Sequence, residues 1–336
     1  MVSPVRVVVN QFLFRSPMTL LAVGLVISGL DFGFLFVAAR KESVLHIPQG
    51  VGLLDNFGLL STVIGNAFSF YVVRKYFDYV CAIKNSKALV NPRVVNPGLS
   101  RLKAMIRMHG RAALIIIILI VLAAYCFTSN VESHLHNPQV RWGTKLFFDT
   151  TDHPLSFAAS RVHNLITWVF IGPFVLHVMI VTTFQLRRMI NTACQRKAFN
   201  YDLLNPDKRG GFGFVDNAHI VFNVVVALVY VIVSMHIITF EKMNPDHFAL
   251  YLFLTLALVS INWLFLGDIY EKIRALRADS LNEFKDRFFA KTLDFEVLKY
   301  CMDQKVSVFS LETIAIKAAG FIIPPLVQLL LGLIRA

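Results

Sequence analysis

A single carboxylate interrupts the long apolar run near the start of the chain. Asp31 stands within the segment ISGLDFGFLFV, residues 27–37. Inside a membrane a charged side chain costs at least about 2.5 kcal/mol to insert, so it needs a partner or an aqueous surrounding. We predict that Asp31 faces the interior of a helix bundle. There it either bonds to a side chain such as Asn66 or Asn262, or it helps to pass a proton or cation.

Paired histidines form a second candidate constellation. His163 and His177 are fourteen residues apart, which separates them by about 40° around a helix and about 21 Å along it. This spacing resembles the two-haem arrangement of cytochrome b bundles. In the next apolar segment, His219 and His236 match the first pair in depth but lie about 100° apart around their helix. Bis-histidine haem b on these four residues is therefore an alternative to histidines that are simply interfacial or hydrogen-bonded.

Further histidines and carboxylates gather in segments expected on the outer side. They are His46, His134, His136, Asp149, Asp152, His153, Asp246 and His247. Neither HLH nor DTTDH has the ligand spacing of a recognised metal site. We therefore expect a folded outer cap, and we predict no metal.

The glycine-rich stretch LLNPDKRGGFGFVDN precedes the fifth apolar segment. Gly210 and Gly211 permit a sharp turn. The stretch lacks GxxxxGK[ST], and no strand precedes it, so it is neither a phosphate-binding loop nor a dinucleotide fingerprint. We interpret it as a tight turn at the inner membrane surface, where a functional role remains open. Its polar candidates are Asp207, Lys208, Arg209 and His219.

The amino-acid composition indicates which kind of secondary structure must position these residues. Of 336 residues, 56% are hydrophobic and 16% are charged, and the mean hydropathy is +0.61. Such a chain is too apolar for a soluble surface, and a membrane-spanning helix takes roughly 20 residues. We predict an all-α polytopic transmembrane bundle. Its spans are expected at 17–39, 56–73, 112–129, 163–185, 217–240 and 248–267, with a possible seventh at 313–334, where Pro324-Pro325 predicts a kink.

Charge alternates from loop to loop. The segments between spans two and three and between spans four and five carry an excess of Lys and Arg, whereas the loop near 130–160 is balanced. This pattern predicts cytoplasmic basic loops, a cytoplasmic N-terminus and an inner-membrane location. We therefore attribute the net charge of +12 to membrane topology and to contact with anionic lipid. We predict no nucleic-acid partner. The first residues lack the pattern of a cleaved signal peptide.

The predicted organisation has three parts. Residues 1–267 form the bundle, with the outer cap at about 130–160. Residues 268–312 are charged with helical apolar spacing, which favours cytoplasmic amphipathic helices. Residues 313–336 form a membrane-inserted or re-entrant helix. The four cysteines show no CxxC spacing, so we expect reduced thiols.

The motif NPDKRGGFGF, with DHPLSF upstream and an apolar, proline-bearing tail, resembles a family of uncharacterised bacterial multi-pass membrane proteins. In that family a similar Pro-Asp and paired-glycine motif precedes a span. The resemblance covers roughly residues 140–336, and Asn205 stands where the family pattern has His. It implies a bacterial inner membrane and no particular activity.

These patterns favour a transport or channel-like protein over an enzyme, because no nucleophile motif, acidic pair or HExxH is present. The expected polar path involves Asp31, Asn66, His177 and His236. Two alternatives are a haem b electron-transfer protein and a non-catalytic membrane subunit or scaffold that binds a cytoplasmic partner. Gly29 and Gly33 form a GxxxG pair, which predicts a close helix contact and is compatible with a homo-oligomer.

Overall fold

The structure is a computed structural model, and it describes residues 16–47, 50–106, 145–146, 153–205, 209–239, 245–290 and 294–303. Regular structure in these ranges is helical, apart from a parallel pairing of two short strands and an isolated bridge. The strands are β1 (Gly50–Val51) and β2 (Lys145–Leu146). The helices are α1 (Pro17–Lys41), α2 (Phe57–Cys81), α3 (96–106), α4 (Pro154–Asn164), α5 (Gly172–Gln195), α6 (Gly213–Thr239), α7 (Pro245–Phe289) and α8 (Phe295–Asp303).

Two helices among the described residues are long and apolar enough to cross a membrane. They are α1 and the stretch Phe57–Asn85, which comprises α2 and the 3-10 turn after it. The spans predicted at 163–185, 217–240 and 248–267 fall on helical segments. Those predicted at 112–129 and 313–334 lie outside the described residues.

Local signals explain where the first two helices begin. The Ser16 hydroxyl accepts the backbone N–H of Thr19, and Pro17 occupies the first turn, where no N–H is needed. Asn56 does the same for α2, since its side-chain oxygen accepts the N–H of Leu59 at 2.9 Å. Both starts are thus fixed by the residue just before the apolar run.

Helices α1 and α2 approach most closely at Gly24. A methyl group there would overlap the carbonyl oxygen of Ala67. The close contact expected at Gly29 and Gly33 is not found among the described residues, where nothing lies within 4 Å of a Cβ at either position. That face of α1 is instead exposed, with Leu30 71% accessible.

Helix α2 is the central element of the described bundle. It packs against α1, α5 and α6. Tyr76 shows this clearly, because its hydroxyl bonds to Thr183 of α5 while its ring lies against Phe222 of α6. Nearer the start of α2, Gly65 faces Ile232 of α6.

One end of the bundle, which we call the Glu42 end, is held by a carboxylate. The Glu42 oxygens accept the backbone N–H groups of Leu155 and Ser156 at 2.7 and 2.8 Å. These are free donors of the first turn of α4, where a negative charge is favoured. Burial raises the pKa of Glu42, but a hydrogen bond with the Ser156 side chain and the two backbone hydrogen bonds outweigh it and leave the pKa below its usual value.

The opposite end, which we call the basic end, is held by backbone hydrogen bonds between the two basic loops. Val90 N–H donates to the Ala198 carbonyl, and Asn200 N–H donates to the Ala88 carbonyl, both at 2.8 Å. Gly211 adopts a φ of 87°, and a Cβ there would lie 2.6 Å from the Ala88 nitrogen. The sharp glycine turn predicted at 210–211 is confirmed. The two loops that were predicted to share a side lie at the same end.

The C-terminal part differs from the predicted division. Helix α7 runs unbroken for 45 residues, so no boundary separates the predicted span from the charged segment at residue 268. The charged segment then doubles back, because Arg277 of α7 donates to the Met302 carbonyl of α8 at 3.1 Å. At the other end, α4 already begins at Pro154, inside the predicted outer cap of about 130–160.

A pair of alanine substitutions in α1 tests the helix crossing. We expect Gly24→Ala to lower the melting temperature in detergent by several degrees, because its methyl group would push α1 away from Ala67. Gly29→Ala should leave it unchanged or raise it slightly, since alanine is favoured over glycine in a helix by about 0.5–1 kcal/mol. Equal effects of the two variants would contradict the crossing at Gly24.

Candidate functional site

Asp31 and His163 form a buried pair in the bundle. Asp31 Oδ2 lies 2.6 Å from His163 Nδ1, and the two side chains are 1% and 4% accessible. Of the two partners suggested from sequence, Asn66 bonds instead to Thr167, and the side chain of Asn262 lies outside the described residues. The acid and the base are 132 residues apart in the chain.

A second polar pair lies beside the first. Asn66 Nδ2 of α2 donates to Thr167 Oγ1 at 2.7 Å, and Thr167 is one turn beyond His163. The Asn66–Thr167 pair lies towards the basic end from the first pair, because Thr167 is about 6 Å beyond His163 along the helix. The Gly24–Ala67 contact agrees, since Gly24 is about 10 Å from Asp31 along α1 and Ala67 adjoins Asn66. Three helices thus place polar groups within about 10 Å of one another along the bundle, in a region that we call the Asp31 level.

On α4, the polar residues next to Asp31 are part of a longer row of polar side chains, which we call the polar stripe. Its members recur every three or four residues, which places them on one helix face, and all four are buried. They are Ser156, Ser160, His163 and Thr167. Sequence reasoning considered His163 as a haem ligand or as an interfacial or hydrogen-bonded histidine, and it missed the stripe. The signal was present as a helical repeat of small polar residues in a segment that was assigned partly to a loop.

Two polar atoms in this region have no hydrogen-bond partner among the described residues. They are Ser28 Oγ and Asp31 Oδ1. Ser28 precedes Asp31 by three residues, so it lies on the same face of α1. Buried polar groups are nearly always satisfied, and each exception calls for an explanation. Here both exceptions lie within one helical turn at the ionisable pair.

A π-helical segment follows this site. Residues Leu165–Ile171 form π-helix between α4 and α5, and such segments frequently occur at functional sites. A π-turn closes over five residues rather than four, so residues beyond it are rotated relative to an unbroken α-helix. The predicted angle of about 40° between His163 and His177 therefore does not hold. His177 also lies roughly 20 Å further along the segment, away from the Asp31 level.

The four-histidine haem site stays a prediction. Helix α2 contacts both histidine-bearing segments, since Asn66 bonds to Thr167 and its neighbour Gly65 faces Ile232 of α6. His163 is engaged by Asp31 through its Nδ1. His219 is near the basic end, where its Nε2 lies 3.0 Å from the Asn223 amide nitrogen. The side chain of His236 lies outside the described residues.

The glycine loop leads into a compact ionic network. Arg209 pairs with Asp216 at 3.1 Å, and the Tyr270 hydroxyl donates to the other Asp216 oxygen at 3.0 Å. Burial raises the pKa of Tyr270, and the neighbouring Asp216 raises it further, so the donor stays protonated. His219 lies edge-on to the Tyr270 ring. The network anchors the loop to α6 and α7, whereas Asp207 and Lys208 lie outside the described residues.

A second charge cluster joins α5 to α7. Asp268 binds Arg187 at 3.0 Å, Lys272 at 2.9 Å and the Asn191 amide at 3.3 Å. The hydrogen bond from Lys272 is the largest influence that holds the pKa of Asp268 below its usual value, with Arg187 and Asn191 acting in the same direction. This cluster lies just beyond the predicted sixth span.

The outer histidines do not gather into a site within the described part of the chain. His46 pairs with Asp55 at 2.9 Å on the surface, and His153 precedes α4. The side chains of Asp246 and His247, and the residues His134, His136, Asp149 and Asp152, lie outside the description. No group of three metal-ligating side chains occurs among the described residues. Cys81, Cys194 and Cys301 are free thiols, as predicted.

The described chain is thus a helical protein with two helices that could cross a membrane. No protein-family model matches the sequence, and comparison with curated proteins and with solved structures finds no match. The resemblance of residues 140–336 to a bacterial membrane family stays a prediction.

A double-mutant cycle tests the coupling of the buried pair. Asp31→Ala and His163→Ala should each destabilise the folded protein by about 3–5 kcal/mol, because each leaves a buried polar partner unpaired. The double variant should cost less than the sum of the two. Equilibrium unfolding in mixed micelles measures the free energies. Additive costs would show that the two groups do not interact.

The Asp268 cluster predicts a defined pH dependence. A carboxylate with a lowered pKa stabilises the fold fully above its usual pKa of 3.8, and this contribution is lost as the pH falls through the lower folded-state value. The melting temperature of the native protein should therefore exceed that of Asp268→Asn by a constant amount at neutral pH. The difference should disappear in acid. Asp279→Asn, on the exposed face of the same helix, is the matched control and should show no such difference.

Proposed function

We propose that this protein is a polytopic membrane transport or channel-like protein with six or seven spans, whose ion path includes the Asp31–His163 pair. The observation that carries the proposal is the burial of both ionisable side chains at 2.6 Å in an apolar bundle. Intramembrane ionisable groups are costly, face the bundle interior, and mark ion pathways in many membrane proteins. Asn66, predicted to line the path, lies about 6–10 Å from the pair along the bundle, towards the basic end.

A separate group of buried polar side chains lies nearer the basic end. On α5, Thr182, Thr183 and Gln185 are buried, and Thr183 bonds to Tyr76 of α2. Thr182 Oγ1 and Gln185 Oε1 have no partner among the described residues. This group is roughly 25 Å from His163 along the α4–α5 segment, and buried polar groups at both positions favour a path over an isolated packing contact. His177 and His236 stay proposed members of this path.

The membrane setting of the proposal rests on the chain as a whole. The apolar composition and the two basic loops at one end support an inner-membrane protein with a cytoplasmic N-terminus and basic loops near anionic lipid. A non-catalytic subunit or scaffold is the second candidate. It is favoured by the folded basic end, where α7 and α8 present charged surfaces beyond the predicted spans. A homo-oligomer is compatible with the exposed face of α1.

Reconstitution tests the proposed path. Purified protein is incorporated into liposomes, and the flux of protons, sodium and potassium is measured under an imposed gradient. Asp31→Asn should abolish the flux and leave the fold intact, because asparagine keeps the shape of the side chain without its charge. Asp55→Asn is the matched control, since Asp55 pairs with a histidine on the exposed surface. Equal flux in native protein and Asp31→Asn would overturn the proposed role of Asp31.

A further inference from the structure

We propose that the transported or coupling ion is a proton, that the Asp31–His163 pair carries it, and that the pair is loaded from the Glu42 end. This inference rests on the proposed function, because it names the ion for the same path. Three features support it: the chemistry of the pair, its surroundings, and the direction of the polar stripe on α4.

The Asp31–His163 pair is chemically suited to hold one proton. With a single proton shared between Asp31 Oδ2 and His163 Nδ1, the pair is neutral overall whether the proton resides on oxygen or on nitrogen. Loss of that proton leaves a carboxylate beside a neutral imidazole, with one net negative charge in an apolar interior. Uptake of one proton restores neutrality, and only O–H or N–H bonds form and break.

The same geometry is poorly suited to a metal cation. Hard cations select carboxylate, carbonyl and water oxygens, whereas imidazole suits softer metals. Here Asp31 Oδ2 is engaged by a ring nitrogen, and only Oδ1 is left without a partner among the described residues. One free carboxylate oxygen can accept a proton but cannot replace the hydration shell of a sodium or potassium ion.

No other described charge is placed to neutralise the pair. Helix α2 carries no titratable side chain between Phe57 and Phe70, and the π-helical segment carries none. On α4 the guanidinium of Arg161 lies over the Phe157 ring, 4.8 Å from its centroid. The remaining titratable groups of α1 and α4 and of their ends, apart from the pair, are Arg40, Lys41, Glu42 and His153, all towards the Glu42 end.

The polar stripe leads from the pair to that end. Ser160 is about 4.5 Å above His163 along α4, and Ser156 is about 6 Å further. Separations of this size can be bridged by ordered water, which conducts a proton between hydroxyl groups. The Ser156 N–H donates to Glu42, so the stripe ends directly at a carboxylate.

Towards the basic end the pair is closed. The Asn66–Thr167 hydrogen bond covers it on one side, and the Gly24–Ala67 contact brings the backbones of α1 and α2 together below it. The structure therefore represents the state in which the pair exchanges protons with the Glu42 end.

The first measurement needs no variant. Native protein is reconstituted with a pH-sensitive dye inside the liposomes, and the potential is set by potassium with valinomycin. We expect proton entry driven by the potential and no comparable sodium flux. Sodium or potassium flux without proton flux would overturn this inference and leave the transport function standing. The absence of every flux would overturn the proposed function itself.

The second measurement tests the direction of loading. Ser160→Ala should slow proton flux several-fold, because it removes a hydroxyl next to the pair. Ser69→Ala is the control, since the Ser69 hydroxyl bonds only to its own helix, at Gly65. Equal rates in the two variants would overturn loading along the stripe. Infrared difference spectra after a pH step should show a protonated carboxylic acid that is absent in Asp31→Asn and retained in Asp55→Asn. A band that persists in Asp31→Asn would overturn the role of the pair.

Discussion

Burial of the Asp31 carboxylate constrains the rest of the described bundle. An acid in an apolar interior must meet a partner at hydrogen-bond distance, which here requires α1 and α4 to lie side by side with residues 31 and 163 at one level. Glu42 secures that register from the end of the bundle by holding the first turn of α4. On its other side α1 must leave room for α2, and Gly24 permits that approach. Pairing of Asp31 with His163, the Glu42 cap on α4 and the close packing at Gly24 thus all involve α1 or the residue that follows it.

The basic end solves a different electrostatic problem. Two loops rich in Lys and Arg are held against each other, although their charges repel. Backbone hydrogen bonds supply the contact, because these do not depend on side-chain charge. Two of the acids present there pair with cations, Asp216 with Arg209 and Asp268 with both Arg187 and Lys272. The net positive charge is therefore reduced near the place where the two loops meet, and it remains at the outer surface.

Sequence alone predicted the features that depend on local chemistry. The helices at 17–39 and 56–73, the need of Asp31 for a buried partner, and the turn at Gly210 and Gly211 follow from periodicity, desolvation and glycine geometry. The partner His163 could not be found this way, because it depends on which helices become neighbours. The described structure has its close helix approach at Gly24 and none at the GxxxG pair, since a motif does not say which face of a helix is buried. The predicted division at residue 267 falls inside one continuous helix.

The π-helical segment Leu165–Ile171 gives the long helical segment around it a mechanical property. Its hydrogen bonds close one residue later than those of the helices on either side, so the segment contains one residue more than the corresponding α-helical turns. If the segment changed to α-helix, the α4 half would turn about its axis relative to the α5 half. The contact of His163 with Asp31 and the contact of Thr183 with Tyr76 lie on opposite sides of the π-helical segment, and one rigid helix could not keep both contacts through such a turn. The π-helical segment therefore lies at the point where a rotation of one half relative to the other would separate these two contacts.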